Sequence, residues 1–371
     1  MTNANSSPTS TPPKIFTCRS PFTLESGYRL PGYHLAYHTY GTLNAKGDNA
    51  VWIFHALTAN SDAADWWAGL VGEGKLFDPA RYFIVCVNMP GSCYGSIGPL
   101  EKIPFTTDLF YHDFPLFTTR DMIRAYQPLR HYLGIRTIRA GIGGSMGGQQ
   151  LLEWAIEEPY LFEHVFPLAT NAVHSAWARA FNASQRICIE NDLSWKQRQP
   201  FAGRDGMKTA RSVALISYRH YSTYGAHQHD EDDELLQNFR SESYQRYQGE
   251  KLARRFNAFS YYRLSQSMDA HNVGRGRGGT VNALKEIKAK TLVIGIKTDI
   301  LFPPSEQAFL AEHIDGAQFC LIDSIYGHDG FLLEFEAIQE KVGSLLEESA
   351  AKKPAFIPED TSGKTIESLC T

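Results

Sequence analysis

The residues with the clearest chemical promise sit in one pentapeptide, Gly143-Gly144-Ser145-Met146-Gly147. A serine hydroxyl is a weak nucleophile until a base takes its proton. A G-x-S-x-G pattern presents such a serine on a sharp strand-to-helix turn, where strained dihedrals and close backbone approach call for small neighbours. The strand-like TIRAG (137–141) lies just before the motif. The helical MGGQQLLEWAIEE lies just after it and is closed by Pro159. At that helix start, Ser145 meets the positive end of the dipole, which favours negative charge developing on its oxygen. A dinucleotide loop would need G-x-G-x-x-G, which the spacing does not supply.

A nucleophile of this kind needs a base, and the base needs an acid to orient it, in the chain order serine, acid, histidine. Asp299 follows the strand-like TLVIGI through Lys297 and Thr298. His328 follows the strand-like QFCLI in the loop DSIYGHDG, between Gly327 and Gly330. Both fall at carboxyl ends of strands, where open α/β sheets build their sites. Position singles out His328 among 13 histidines. Asp323 is the competing acid, but it lies too close in sequence before His328. An oxyanion hole takes one backbone N–H from the residue after the nucleophile, Met146, and a second from a loop after an early strand. That second donor is read as Leu57, in His55-Ala56-Leu57-Thr58 after AVWIF; His55 itself is given a structural role there.

These residues require a particular scaffold. Ala50 to Phe54, Tyr82 to Val87, TIRAG and His164 to Leu168 read as buried strands separated by helices, and Tyr33 to Tyr40 as one arm of an antiparallel hairpin. That rhythm predicts a mostly parallel central sheet flanked by helices. Residues 171–280 are rich in Arg, Gln, Tyr and Glu with helical spacing, and predict a helical lid. Strand character returns in TLVIGI and QFCLI, around a helix near Ser305 to His313, and a last helix is expected from Phe331 to about Glu347. The fold class is therefore an α/β-hydrolase fold with a helical lid insertion. Its core occupies residues 15–170 and 281–350, between disordered tails at 1–14 and 351–371.

Bulk properties exclude other classes. The 371 residues carry a formal net charge of −4, with 43% hydrophobic and 20% charged residues. A mildly acidic surface has no overall pull toward nucleic acid or anionic lipid. No apolar run can span a bilayer, and the polar N-terminus lacks a signal-peptide core, so a cytoplasmic protein is expected. Six scattered cysteines without a C-x-x-C pair read as free thiols. His227, His229 and Asp230 lack helical ligand spacing, so no metal is expected. Gly274 to Gly279 (GRGRGG) reads as a loop, placed near anionic substrate groups rather than on RNA. Trp66, Trp67, Tyr261 and Tyr262 read as core or pocket wall.

From about Phe22 to Glu347 the chain resembles the homoserine O-acetyltransferase family of methionine biosynthesis. The resemblance is carried by YHTYGTLN, HALTANSDAADWWAGLVGEGKLFDPARYFIVCVN, GSCYGSIGP, GGSMGGQQLLEWA, SMDAHNVGRGRGG, TLVIGIKTDILFPPSEQ and IDSIYGHDGFLLE. It implies a ping-pong reaction in which acetyl-CoA, a co-substrate and not a bound cofactor, acylates Ser145 and L-homoserine takes the acetyl group. It also implies that Arg211, Tyr218 and Asp329 hold the amino acid, and that the chain forms a homodimer through its lid helices. Where the family usually reads HALTGD and N-x-x-GGC, this chain has Thr58-Ala59-Asn60 and Gly91-Ser92-Cys93. Ala59, Asn60 and Ser92 are placed beside the pocket mouth. They leave open a succinyl-CoA donor or an L-serine acceptor. An esterase or deacetylase on the same triad and a non-catalytic binding protein are the remaining alternatives.

Overall fold

The computed structural model describes residues 11–351. Eight strands form one sheet: β1 (Lys14–Cys18), β2 (Tyr33–Tyr40), β3 (Ala50–Phe54), β4 (Phe83–Val87), β5 (Ile138–Gly144), β6 (His164–Leu168), β7 (Lys290–Ile296) and β8 (Gln318–Ile322). Their spatial order is β1-β2-β4-β3-β5-β6-β7-β8. The β1–β2 and β2–β4 pairs are antiparallel, and the pairs from β4 across to β8 are parallel. Strand order reverses around β3 and β5. Ligands of open α/β sheets bind at the carboxyl ends of strands at such a reversal.

Helices cover both faces, so β3 and β4 are buried at every position. Alternation sends Trp52 and Phe54 into one core with Trp154, and Val51 and Ile53 into the other with Trp67 and Phe331. The first core is covered by α1 (Thr119–Tyr132) and α2 (Met146–Glu157). Thr118 caps α1 in a reciprocal box with Asp121, which satisfies amides that the first turn leaves without partners.

The lid enters after β6 and returns before β7. It comprises α3 (Ala176–Glu190), α4 (Arg204–Tyr218), α5 (Tyr221–His227), α6 (Arg240–Ala253) and α7 (Ala258–Asp269). All five lie within the expected 171–280 span. Ser175 and Asn257 cap α3 and α7 by accepting from the amides of Ala178 and Ser260. Two longer helices, α8 (Pro304–His313) and α9 (Phe335–Ala351), follow in the second part of the core, and short helical turns lie at Ala63–Trp66 and Thr280–Leu284.

Two boundaries differ from the sequence expectation. The last helix starts at Phe335, not Phe331, because Gly327–Leu332 form a 3-10 turn that carries His328. At the other end, Lys14 already pairs with Tyr37, and His38 Nε2 bonds the Thr11 carbonyl at 2.7 Å. The antiparallel pairing therefore recruits residues expected to be tail. Residues 1–10 and 352–371, the rest of the two expected tails, lie outside the described residues.

The GRGRGG loop is also placed differently. Its arginines face carboxylates of the core. Glu153 is fully buried on α2 and receives Arg120 Nε at 3.2 Å and Arg277 Nη1 at 2.7 Å. Arg277 Nη2 reaches Glu157 at 2.9 Å, while Arg275 Nη2 and Arg120 Nη1 both reach Glu25, each at 2.9 Å. The network ties the lid's exit to α1 and α2. Removing one partner of a buried ion pair strands the other charge, at a cost of several kcal/mol. Arg277→Met is expected to lower unfolding free energy by roughly 3 kcal/mol in urea titration, with unchanged activity at 25 °C. A loss below about 0.5 kcal/mol, the range of ordinary surface substitutions, would contradict a structural role for the loop.

Candidate active site

Ser145 sits at φ 56° and ψ −125° between β5 and α2, in backbone space that a non-glycine residue rarely adopts. Such strain persists only where the surroundings enforce it. Here the Ser145 N–H donates to the Leu168 carbonyl at 3.0 Å, and Thr170 Oγ1 donates to the Ser145 carbonyl at 2.8 Å. Gly147 is needed for space: a Cβ there would lie 2.1 Å from the Phe54 carbonyl oxygen. The start of α2 is thereby pressed against the end of β3.

Asp299 and His328 meet at 2.7 Å, through Oδ2 and Nδ1. The other carboxylate oxygen, Oδ1, accepts from the amides of Leu301 and Phe302 at 2.8 and 2.9 Å. Three hydrogen bonds thus fix the acid, which is 3% exposed. Asp323, the competing acid, has a side chain 79% exposed and pairs with Lys297. The His328 ring is held by Phe302 at 5.0 Å, Phe331 at 5.4 Å and Tyr218 at 5.7 Å between centroids. Burial disfavours the charged ring. The charge and hydrogen bond of Asp299, together with the field of Asp329, outweigh burial and raise the His328 pKa above its ordinary value. With Nδ1 engaged by Asp299, Nε2 is the nitrogen left to exchange a proton. Among the described residues no hydrogen bond joins Ser145 to His328, although both line one cavity; contacts of this kind often tighten only with substrate.

That cavity, of about 370 Å³, also holds Leu57, Arg211, Tyr218 and Asp329. Met146 opens α2, so its N–H has no intrahelical acceptor. The register of β3 on β5 sets Phe54 opposite Gly143 and brings the Leu57 loop beside Ser145. His55 is buried: its Nδ1 donates to the Ala56 carbonyl at 2.9 Å and its Nε2 accepts from the Met89 amide at 3.1 Å. Burial pushes its pKa down to about 4, so the ring is neutral and serves the loop.

Arg211 lies over the Tyr218 ring, its guanidinium carbon 5.4 Å from the centroid, and has no hydrogen bond or ion pair among the described residues. Asp329 is paired with Arg219, Nε to Oδ2 at 3.2 Å. Arg219 was not singled out from the sequence. Gln248, Lys251 and Arg255 also line the cavity unannounced; the i, i+3 spacing of Gln248 and Lys251 on α6 was the available signal. Ala59 and Asn60 line the cavity as expected. Ser92 does not, because it is 2% exposed and buried behind the loop. Trp66 lines the cavity wall, while Trp67 and Tyr261 are core.

The alpha/beta hydrolase fold family matches residues 49–335. A homoserine O-acetyltransferase of Cyclobacterium marinum is 48% identical over 326 residues, covering 88% of this chain and 93% of that protein. The homoserine O-acetyltransferase structure from Bacillus anthracis superposes with a TM-score of 0.82 at 24% identity, covering 90% of this chain and 96% of the other. An acetylester hydrolase structure from Corynebacterium glutamicum gives 0.81 at 23%, covering 91% and 96%. At these identities the two structures speak for the fold alone.

One hydroxyl joins the acid and base loops. Thr298 Oγ1 donates to the Ser324 carbonyl at 2.6 Å and accepts from the Gly327 amide at 3.0 Å. Gly327, at φ 64°, abuts the end of α4, where a Cβ would meet the His220 amide nitrogen at 2.8 Å. Misplacing a reacting group by about 1 Å can cost up to ~100-fold in rate. Thr298→Val, nearly isosteric, is expected to lower kcat about tenfold or more, and Thr298→Ser to restore it. Equal rates in both variants would show that the bridge does not position His328.

Proposed function

Since the chain belongs to the homoserine O-acetyltransferase family, within the alpha/beta hydrolase fold, we propose that it transfers the acetyl group of acetyl-CoA to the hydroxyl of L-homoserine. Ser145 Oγ attacks the thioester carbonyl while His328 Nε2 takes its proton. The tetrahedral oxyanion is held by the amides of Leu57 and Met146. The C–S bond breaks, the imidazolium returns its proton to the departing thiolate, and acetyl-Ser145 remains. The homoserine hydroxyl then loses its proton to His328 and attacks the acyl carbonyl; the ester C–O bond to Ser145 breaks, the imidazolium returns the proton to Ser145 Oγ, and O-acetyl-L-homoserine leaves. Asp299 holds the ring and stabilises the imidazolium in both halves.

The observation that carries the acceptor is Arg211. It is a guanidinium without a hydrogen-bond or ion-pair partner among the described residues, in the cavity of the serine and the histidine, with Asp329 lining the same space. A guanidinium takes a carboxylate in two parallel hydrogen bonds, and a carboxylate takes an ammonium. An α-amino acid fits this pair, and its side-chain hydroxyl is directed to the acyl-enzyme. Tyr218 supports Arg211 from below.

Two further parts of the proposal concern context. The protein works in the cytoplasm, where acetyl-CoA is available. It works as a homodimer, and Ile187, Leu193 and Phe201 on the lid supply exposed apolar surface for the contact. The mass in solution, by light scattering, is expected at twice the chain mass.

Purified protein given acetyl-CoA and L-homoserine is expected to release CoA and form O-acetyl-L-homoserine, and Ser145→Ala to do neither. Succinyl-CoA and L-serine serve as the comparison pair. Sustained CoA release without an acceptor would identify a hydrolase instead. Arg211→Ala is expected to raise KM for homoserine at least tenfold, as loss of a charge-assisted bond of about 1.5–3 kcal/mol requires. The pH profile follows from His328. Its neutral form is the base and its folded pKa is raised, so kcat/KM falls as pH drops through a value above the ordinary ~6.5. A flat profile between about pH 5 and 8 would remove His328 as the base.

A further inference from the structure

The loop that carries Leu57 is gripped from two sides. On the core side, the Ala59 N–H donates to the Ala56 carbonyl at 3.0 Å, which closes a tight turn over Ala56 to Ala59. His55 Nδ1 donates to the same carbonyl. On the lid side, Arg255 Nη1 donates to the Thr58 carbonyl and to the Tyr94 hydroxyl, both at 2.5 Å. Arg255 lies two residues past the end of α6, just after the Arg254 cap. Its own backbone is docked on the core: the Cys93 thiol donates to its carbonyl at 3.5 Å, and Phe256 packs edge-on against Tyr94 at 5.7 Å. Tyr94 is anchored in turn by Asn88 Nδ2, which donates to its carbonyl at 2.7 Å.

The peptide group joining Thr58 to Ala59 is therefore held at both polar atoms, its N–H by Ala56 and its C=O by Arg255. A peptide group is planar and turns as a unit. With the carbonyl end released, it can rotate and carry the Ala59 N–H away from Ala56, which opens the turn. No described hydrogen bond engages the Leu57 N–H, so its direction depends on that turn. We infer that Arg255 is a positioning residue for the oxyanion hole: by holding the Thr58 carbonyl it aims the Leu57 amide at the reacting carbonyl, so that the lid completes the hole. The inference rests on Leu57 being an oxyanion donor to an acyl-Ser145 reaction, as proposed above.

Arg255 also lines the cavity, so a contact to phosphates of the acyl donor is the competing role. A substrate with neither phosphate nor amino acid separates the two. Acylation of Ser145 by p-nitrophenyl acetate is followed as p-nitrophenol release in wild type, Arg255→Ala, Arg255→Lys and Tyr94→Phe, with Ser145→Ala as blank. Loss of a whole oxyanion donor costs about 100- to 1000-fold, so a donor present but misaimed is expected to cost about tenfold or more. Arg255→Ala should show that loss in kcat with little change in KM. Arg255→Lys should recover part of it, and Tyr94→Phe, which keeps the guanidinium but loosens it, should lose less in the same direction. Near-wild-type thermal midpoints are expected for the Arg255 variants, since that side chain lies at the surface. Ester acylation of Arg255→Ala within twofold of wild type would overturn the inference, and a raised KM confined to acetyl-CoA would assign Arg255 to the donor. If wild type itself is not acylated at Ser145, the acyl-enzyme reading fails and this inference falls with it.

Discussion

The approach of α2 to the end of β3 is the constraint on which the rest of the site depends. Only a glycine at 147 permits it, because any side chain would collide with the Phe54 carbonyl. That approach forces the sharp turn at Ser145 into strained dihedrals. It also leaves the first amide of α2 pointing into the same space as the loop leaving β3. The proposed nucleophile and the proposed oxyanion donors are thus placed by one packing contact between backbone elements. Side-chain preferences alone could not hold a residue at φ 56°. The hydrogen bonds from Ser145 and Thr170 and the buried sheet beneath make the strained turn the lowest available state.

Around that contact stand the proposed base and the proposed substrate-binding groups, which line the same cavity. His328 stands on a 3-10 turn whose stem is bridged to the acid loop by Thr298 and whose tip is pressed against the end of α4. The same helix carries Arg211 and Tyr218, seven residues apart and so on one face. The lid therefore touches the His328 loop directly and the Leu57 turn through Arg255. Its attachment to the core is equally specific. His174 lies 3.7 Å from Asp269, yet burial and nearby cations push its pKa down to about 3, so this contact is not an ion pair. The ring stays neutral and accepts from Asn182 Nδ2 at 3.1 Å. Neutral hydrogen bonding avoids the desolvation cost of burying a charge at the lid's base.

Much of this was legible in the chain because the signals are local. A strand, a glycine-bounded serine and a helix in immediate succession describe an elbow whatever surrounds them. Asp299 and His328 could be chosen because each follows a strand at its carboxyl end. Arg219, Arg255 and Thr298 were not legible, because their roles depend on partners 110, 197 and 26 positions away in the chain. The GRGRGG loop was misplaced for a related reason. Its composition advertises positive charge, but Arg275 and Arg277 are neutralised by Glu25, Glu153 and Glu157, acids that sequence does not set beside them. Ser92 failed differently: proximity in sequence to cavity loops did not make it face the cavity, because the loop turns it inward.

The charges that remain in the cavity bear on which acceptor can be used. Arg219 and Asp329 offset one another, and among the described residues Arg211 has no counter-ion. In the proposed acceptor site, the charge of Arg211 is balanced only when a carboxylate arrives. A bound α-amino acid supplies that carboxylate to Arg211, while its ammonium competes with Arg219 for Asp329. Water supplies neither charge and gains nothing from this arrangement. Binding energy available to the amino acid and not to water can be used to place its hydroxyl against the acyl-enzyme. On the proposed roles of Arg211 and Asp329, the scaffold favours transfer over hydrolysis by selective positioning of the acceptor, with the same proposed triad.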